Sequence, residues 1–507
     1  MGELGSRRRG ARSADLRRWG TRAWQGYGRV PPLMGENSTQ IDGRGPRPVR
    51  GSQVEVRVEA IDDLGRGRGE VDGHPVAVRG AVPGSLVRAE IRRRHRGAIG
   101  AQLEEVLEPG PFQREARCPH VGTCGGCSFQ TYDYAGQLEA LRGHLLERLE
   151  EAELLGEVEV EPVLGMEEPF GYRNKMDFTF GNRRWIEVGE PEGVQSDFAL
   201  GLHVPGVYSK VLDIQSCAIH FEGADEILTA ARELAREHGL EAWDTRRHVG
   251  LLRHLVLRKG VNTGEILVYL VTSVEDAERV DPWAAALVRR CPQITTLVQG
   301  IHDRAAAVAI GEEERILHGP GVIHEILAGL TFTLSPTSFF QTNTTQAERL
   351  LECIHSEIPA SGGRVFDLYC GAGTIGLSLA AKVSEVVGLE SSPSAIRDAR
   401  ANAEAAGIHN TSFLEGDVLE NLEQCTRGSQ GDLCIVDPPR AGLHPKVIPI
   451  LLAAAPARMI YVSCNPVTAV RDLEHLARGG YRLARVQPVD LFPHTPHLEC
   501  VFTLVPR

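Results

Sequence analysis

From Ser335 onward the chain repeats one pattern: a short apolar run, then a stretch of helical character. The runs are "RVFDLY", "SEVVGLE", "TSFLEGD", "DLCIVDPP" and "RMIYVSC". Each is too short to be a buried helix, and each is separated from the next by enough residues for a crossover helix. Strands joined in that way lie parallel and are covered on both faces, so residues 335–507 are expected to form a doubly wound α/β sheet. Such a sheet binds its ligands beyond the carboxyl ends of its strands. The residues that follow each run are therefore where chemistry is to be sought.

After the first run comes "FDLYCGAGTIGLSLA", Phe366 to Ala380, a strand leading into Gly371, Gly373 and Gly376 and then a helix. Glycine lets the backbone approach a ligand, and the helix start offers unpaired N–H groups. The second run ends in Glu390, about 20 residues on, where a carboxylate can accept from both hydroxyls of a ribose. A nicotinamide dinucleotide and S-adenosylmethionine both satisfy this arrangement. The fourth run ends in "DPPRAGL", Asp437 to Leu443, a stiff loop without donors at its prolines, which favours a methyltransferase over a dehydrogenase. The fifth ends in "YVSCNPVT", placing Cys464 before Asn465, Pro466 and a helix, whose N–H groups predict a lowered thiol pKa. Glu499 opens "ECVFTL", an otherwise apolar strand in which an acid is costly unless it has a role or a partner. Upstream, "SPTSFFQTNTTQAE" carries two adjacent aromatics and Gln341; in the plainest account the aromatics cover a sheet edge and Gln341 caps a helix.

The 507 residues exceed what one core supports, so several domains are expected. Residues 1–110 carry 20 Arg and no Lys against 14 Asp and Glu, although the chain as a whole has a net charge of -12. That asymmetry suits a front end that meets a polyanion. Residues 1–50, rich in Arg, Gly and Pro, read as a disordered arm. An organellar transit peptide is the alternative, weakened by Glu3 and Asp15, and Met34 is a second possible start. Residues 51–110 hold four or five short alternating strands with Gly-rich turns, a small barrel. The barrel resembles the TRAM domain, an OB-like RNA-binding module, which makes Arg92, Arg93, Arg94 and Arg96 candidate phosphate contacts. Residues 111–334 mix strands and helices as an α+β central domain whose fold the periodicity does not identify. Within it "YRNKMDFTFG" and "LRHLVLR" suit RNA contact and ordinary strands equally.

Eleven cysteines are too few for a disulfide scaffold in a chain of this length. "CPHVGTCGGC" sets Cys118, Cys124 and Cys127 on one Gly-rich loop, with Cys217 as a distant fourth thiol. Four thiols suit an iron–sulfur cluster or zinc, and spacing does not choose between them. Cys291, Cys353, Cys425 and Cys434 read as structural. Cys370 and Cys500 adjoin the site without an evident chemical part, and His494 and His497 suit either positioning or plain packing. No apolar stretch of membrane-spanning length or secretory signal is present, so a cytoplasmic protein without a membrane partner is expected, as a monomer.

Taken in order, "SFFQTNTTQAE", "FDLYCGAGTIGLSLA", "DPPRAGL", "YVSCNPVT" and "FPHTPHLECVFTL" resemble the RNA 5-methyluridine (uracil-C5) methyltransferases over roughly residues 53–507. The resemblance implies a Rossmann-like C-terminal domain that binds S-adenosylmethionine through Gln341, Tyr369, Glu390 and Asp437. It also implies that Cys464 is the nucleophile, Glu499 the general base, and Cys118, Cys124, Cys127 and Cys217 the ligands of a [4Fe-4S] cluster, with zinc as the alternative. The substrate it implies is RNA, rRNA of the 23S type ahead of tRNA. The chemistry asks for these two residue types: C5 of uracil is a weak nucleophile until a thiolate adds to C6, and a base must then remove the C5 proton. A nucleic-acid amino-methyltransferase would need neither Cys464 nor Glu499. A non-catalytic RNA-binding protein would need no intact cofactor loop.

Overall fold

The short alternating segments near the front form six strands: β1 (Gln53–Arg57), β2 (Ala60–Ile61), β3 (Gly67–Val71), β4 (His74–Arg79), β5 (Leu86–Arg94) and β6 (Ile99–Glu108). Their order is β1-β5-β6-β4-β3-β2 in this computed structural model, which describes residues 45–94, 99–187, 189–304, 308–426 and 433–507. β1 and β2 stand at opposite ends of that order yet follow one another in the chain. The sheet must therefore curl, and Glu59 N donates to Arg68 O at 2.8 Å across the closure. Val56, Val76, Val78, Val87, Ile91 and Ile99 fill the barrel. At the closure a Cβ on Gly69 would lie 2.2 Å from Arg57 O, so only glycine fits there. The sequence suggested four or five strands; β2 has two residues, too few for alternation to register. Arg92 is exposed and pairs with Glu90 at 2.9 Å. The side chains of Arg93 and Arg94, all of Arg96, and the arm up to residue 44 lie outside the described residues.

Helix α1 (Tyr134–Glu151), capped by Asp133, leads to a sheet of eight strands. These are β7 (Lys175–Gly181), β8 (Arg184–Trp185), β9 (Ala199–Val204), β10 (Val207–Asp213), β11 (Leu252–Lys259), β12 (Ile266–Thr272), β13 (Thr296–Ile301) and β14 (Glu313–His318), with α2 (Ala224–Glu237) and α3 (Ala277–Arg290) between them. The order is β14-β13-β12-β11-β7-β9-β10-β8. β11 and β12 are buried along almost their whole length, so neither alternates, which is why periodicity did not reveal the sheet. On one face Trp283, Leu228 and Phe178 pack together. On the other, Val256, Tyr269 and Val271 share a core with Val365, Ile435 and Ile460 of the C-terminal sheet. The arginines of "LRHLVLR" belong to this interior and not to an RNA surface. Arg258 is 1% exposed and donates to Ser335 O and Ser338 O at 3.0 and 2.8 Å. Arg253 donates to His302 O and lies over the Trp243 ring at 4.8 Å.

A hairpin, β15 (Ile323–Leu327) and β16 (Leu330–Leu334), precedes α4 (Thr344–Ser356). The expected α/β sheet follows: β17 (Arg364–Leu368), α5 (Thr374–Leu379), β18 (Glu385–Glu390), α6 (Pro393–Ala405), β19 (Thr411–Glu415), α7 (Val418–Thr426), β20 (Leu433–Val436), α8 (Val447–Ala454), β21 (Arg458–Ser463), α9 (Pro466–Arg478), β22 (Tyr481–Val489) and β23 (Glu499–Pro506). The order β19-β18-β17-β20-β21-β23-β22 reverses direction between β17 and β20, the position at which a doubly wound sheet opens a ligand crevice. β17 to β21 pair in parallel, whereas β23 is antiparallel to both neighbours. All of these elements belong to one unit, Pro46–Arg507. Among the described residues no helix is long and apolar enough to cross a membrane.

Candidate active site

The loop after β17 takes three left-handed residues in close succession, Tyr369 (φ 63), Gly371 (φ 54) and Gly373 (φ 79). For tyrosine that conformation is uncommon and marks a site whose surroundings enforce it. A Cβ placed on Gly371 would meet nothing within 4 Å, so the loop backbone borders an open cradle. Glu390, at the end of β18, accepts from Gly371 N at 3.2 Å and Ser392 N at 2.7 Å, which fixes its carboxylate at the rim of that cradle. Beneath the loop, fully buried Asp367 accepts from Gly376 N at 2.9 Å, and burial pushes its carboxyl up to about 7. Burial and the nearby Asp417 charge push the Tyr369 hydroxyl up to about 12. Asp417 escaped the sequence reading, although it follows β19 much as Glu390 closes β18.

Cys464 and Glu499 meet through strand register. Because β23 runs antiparallel to β21, with Ser463 opposite Cys500, the start of β23 lies at the carboxyl end of β21. Glu499, 4% exposed, thus stands next to half-buried Cys464. Asp437, just past β20, completes the group. Burial and the Asp437 charge hold Glu499 well above the ordinary carboxylate range, and burial raises Asp437 to about 7. Burial, Glu499 and Asp437 together push the Cys464 thiol up to about 11 against a smaller opposing effect of Arg440. The lowered thiol pKa expected from the following helix is therefore corrected. Pro466 contributes no N–H, and the Val467 N–H is already taken by the Asn465 side chain at 3.3 Å, while two carboxyl groups face the sulfur.

The Asp-Pro-Pro loop is held from below. Asp472, 1% exposed on α9, accepts from Leu443 N at 2.7 Å and from Tyr461 Oη at 2.8 Å. A Cβ at Gly442 would fall 2.5 Å from the same carboxylate, so the turn needs glycine at its positive φ of 77. Arg440 O accepts from Asn465 Nδ2 and Thr468 Oγ1, tying this loop to the Cys464 turn.

Half-buried Gln341 does not cap α4; Asn343 does, accepting from Gln346 N at 3.2 Å. Gln341 O accepts from Asn174 Nδ2 at 3.0 Å, and Asn343 Nδ2 donates to Leu491 O at 3.0 Å. "YRNK" thus braces the Gln341 segment from the central sheet. His494 and His497 are uncharged near neutrality, since burial lowers each to about 4. His494 stacks on Phe170 at 4.3 Å, and His497 Nδ1 lies 2.9 Å from Arg440 Nη2.

Away from the sheet, Cys118, Cys124, Cys127 and Cys217 line one cavity with His120, Met176, Leu202 and Ile214. The structure therefore brings the distant fourth thiol to the other three. Burial raises the Cys124 thiol and pushes Cys127 to about 12 and Cys217 to about 11, and the nearby Cys118 raises all three further. Among the described residues no three Cys, His, Asp or Glu side chains converge closely enough to hold a single metal ion. Of the other cysteines, Cys291, Cys353, Cys370, Cys434 and Cys500 are buried and Cys425 is partly so.

The family model of tRNA (uracil-5-)-methyltransferases matches residues 328–507. An uncharacterized RNA methyltransferase of Gloeobacter violaceus is 38% identical over 462 residues, 90% of this chain and 97% of that protein. One of Porphyromonas gingivalis is 38% identical over 451 residues, 86% of this chain and 96% of that protein. Among solved structures, the Pyrococcus abyssi tRNA (uracil-54, C5)-methyltransferase in complex with S-adenosyl-L-homocysteine superposes with a TM-score of 0.68 at 27% identity, over 89% of this chain and 100% of that one. The strand ends, the cysteine facing a buried glutamate and these likenesses agree: the chain belongs to the RNA uracil-C5 methyltransferases.

Proposed function

We propose that this enzyme methylates C5 of a uracil in RNA by covalent catalysis, with Cys464 as nucleophile and Glu499 as general base. The observation that carries the reading is the register that sets Glu499 beside Cys464 at the ligand edge of the sheet. As a thiolate, its proton released to water through its exposed side, Cys464 adds to C6 and drives the ring electrons toward C5. C5 then takes the methyl group, and the pair of the broken carbon–sulfur bond stays on the donor's sulfur, which leaves as a neutral thioether. Glu499 accepts the C5 proton, and the returning electron pair expels the Cys464 thiolate. When bound, S-adenosylmethionine supplies that methyl and a positive charge, for which the carboxylates of Asp437, Glu499 and Glu390 form an acidic setting. Such a charge lowers the raised pKa of Glu499 and prepares it to act as a base. Gln341, Tyr369, Glu390 and Asp437 are the residues that would hold it, around the cradle left open at Gly371.

The donor set of the cysteine cavity fits a [4Fe-4S] cluster bound by Cys118, Cys124, Cys127 and Cys217. Thiols whose pKa burial raises need positive charge to ionise, and four thiols around one cavity match the four sulfur ligands that such a cluster takes. Iron and sulfide analysis of anaerobically purified protein is expected to find about four of each per chain. Stoichiometric zinc without iron would overturn the cluster.

The barrel, with its Arg-rich front, is taken as the TRAM-like RNA-holding domain (51–110), the cysteine-bearing part (111–334) as the central domain and 335–507 as the methyltransferase domain of a cytoplasmic monomer. The target base must leave its stack to present C6, so an unpaired segment is the expected substrate. We place it in large-subunit rRNA, because the cysteine set resembles the enzymes that modify that RNA. A second reading, tRNA, is favoured by the substrate of the Pyrococcus neighbour. Methyl-labelled S-adenosylmethionine and separate 23S rRNA and tRNA transcripts decide between them. Label is expected in 5-methyluridine from the rRNA; label confined to tRNA establishes the second reading, and label on an amino group overturns both.

A further inference from the structure

The turn that leads into Glu499 is anchored outside the sheet, on α1 and the loop before it. Thr495 N donates to Phe492 O at 3.1 Å and His497 N to Thr495 Oγ1 at 3.2 Å, closing a tight bend. At its centre His494 is left-handed, with φ 68. The His494 carbonyl accepts from Ser128 N and Phe129 N at 2.8 and 3.0 Å, and its N–H donates to Gln137 Oε1 at 3.0 Å. Gln137 lies on α1 and is 1% exposed. Its Nε2 donates to Phe129 O at 3.1 Å and Tyr132 O at 2.7 Å and stands 3.1 Å from His494 Nδ1. Pro496 is wedged in as well: a Cβ at Gly65 would fall 2.6 Å from Pro496 Cβ and 2.8 Å from Phe129 Cζ.

One buried amide thus joins α1 and the loop that leads into it to the distant turn 494–497, and both ends of that amide are used. An apolar side chain would fill the same volume without needing partners, so packing alone does not call for glutamine. A base must come within hydrogen-bonding reach of its proton, and misplacement by about 1 Å can cost ~10²-fold. By contrast, the turn that carries Cys464 is held by bonds from Asn465 to Ser463 Oγ and Arg440 O, neither of which Gln137 touches; the turn 494–497 meets Arg440 at its side chain, through His497.

We propose that Gln137 is a positioning residue for removal of the C5 proton: it fixes the turn 494–497 and through it the carboxyl group of Glu499, leaving thiolate addition unaffected. This rests on Glu499 being the base. Ser128, Phe129 and Tyr132 directly follow Cys127, so the cysteine cavity and the base share this anchor.

Two single-turnover rates on the full chain test it, with Gln137→Met as the variant. Formation of the denaturation-resistant adduct on 5-fluorouridine RNA, which cannot lose a proton from C5, should stay within about 3-fold of wild type, while adduct release from ordinary uridine RNA slows by at least about 10-fold. Methylated adduct then accumulates only in the variant. Equal losses in both rates, or no loss in either, would overturn the proposal. Should Gln137→Met not yield folded protein, Gln137→Glu keeps the acceptor for the His494 N–H and loses the donors, and the same split is expected. Wild-type enzyme that forms no adduct on 5-fluorouridine RNA would overturn the reading of Cys464 itself, a separate result.

Discussion

Cys464→Ala is expected to abolish methylation, lowering turnover by about 10⁴-fold or more, as loss of an activated nucleophile does. Binding should survive. Gln341, Tyr369, Glu390 and Asp437, which would hold S-adenosylmethionine, lie outside the Cys464 turn: Gly371 N holds the Glu390 carboxylate and the Asp437 N–H donates to Leu368 O at 3.3 Å. The check is therefore twofold: no covalent complex on 5-fluorouridine RNA, and unchanged equilibrium binding of the methyl donor. A complex that persists in Cys464→Ala would remove the sulfur from the mechanism. The free thiol has its own signature. Because burial and two carboxyl groups hold it near 11, its alkylation by iodoacetamide should climb about tenfold per pH unit between about pH 7 and 10. A plateau below pH 8 would contradict that environment.

Glu499→Gln is expected to separate the two halves of the reaction. Addition and methyl transfer proceed, but an amide cannot accept the C5 proton, so release falls by about 10²–10⁴-fold. Methylated RNA should remain attached to the protein through denaturing electrophoresis, with ordinary uridine and no fluorine. The substitution is nearly isosteric and removes an acid that burial already strains, so the fold should tolerate it. Wild-type turnover in this variant would exclude Glu499 as the base.

What the sequence could reveal depended on how local each signal was. The glycine loop, Glu390 and the Asp-Pro-Pro turn are legible because strand, turn and helix follow one another within a few residues. Register made Cys464 and Glu499 neighbours although 35 positions separate them in the chain, and only the resemblance to a family anticipated it. For Arg258 the sequence left RNA contact and an ordinary strand equally open, since a charged residue in a strand reads the same whether it points to solvent or reaches buried carbonyls. Gln137 and Asp472 were invisible for the opposite reason: nothing near them in the chain advertises a buried polar hub. The thiol pKa was misjudged because a helix start is visible in sequence, whereas the carboxyl groups that face Cys464 come from other strands.

The placement of β23 bears on how the enzyme comes into being. This strand lies between β21 and β22, both of which precede it in the chain, and it opens with Glu499. During synthesis, the glycine loop and Cys464 emerge first, while the gap in the sheet stays open and leaves two unpaired edges. A nascent chain in that condition carries the Cys464 thiol without Glu499 beside it, and it needs protection from pairing with other strands until residue 506 has left the ribosome.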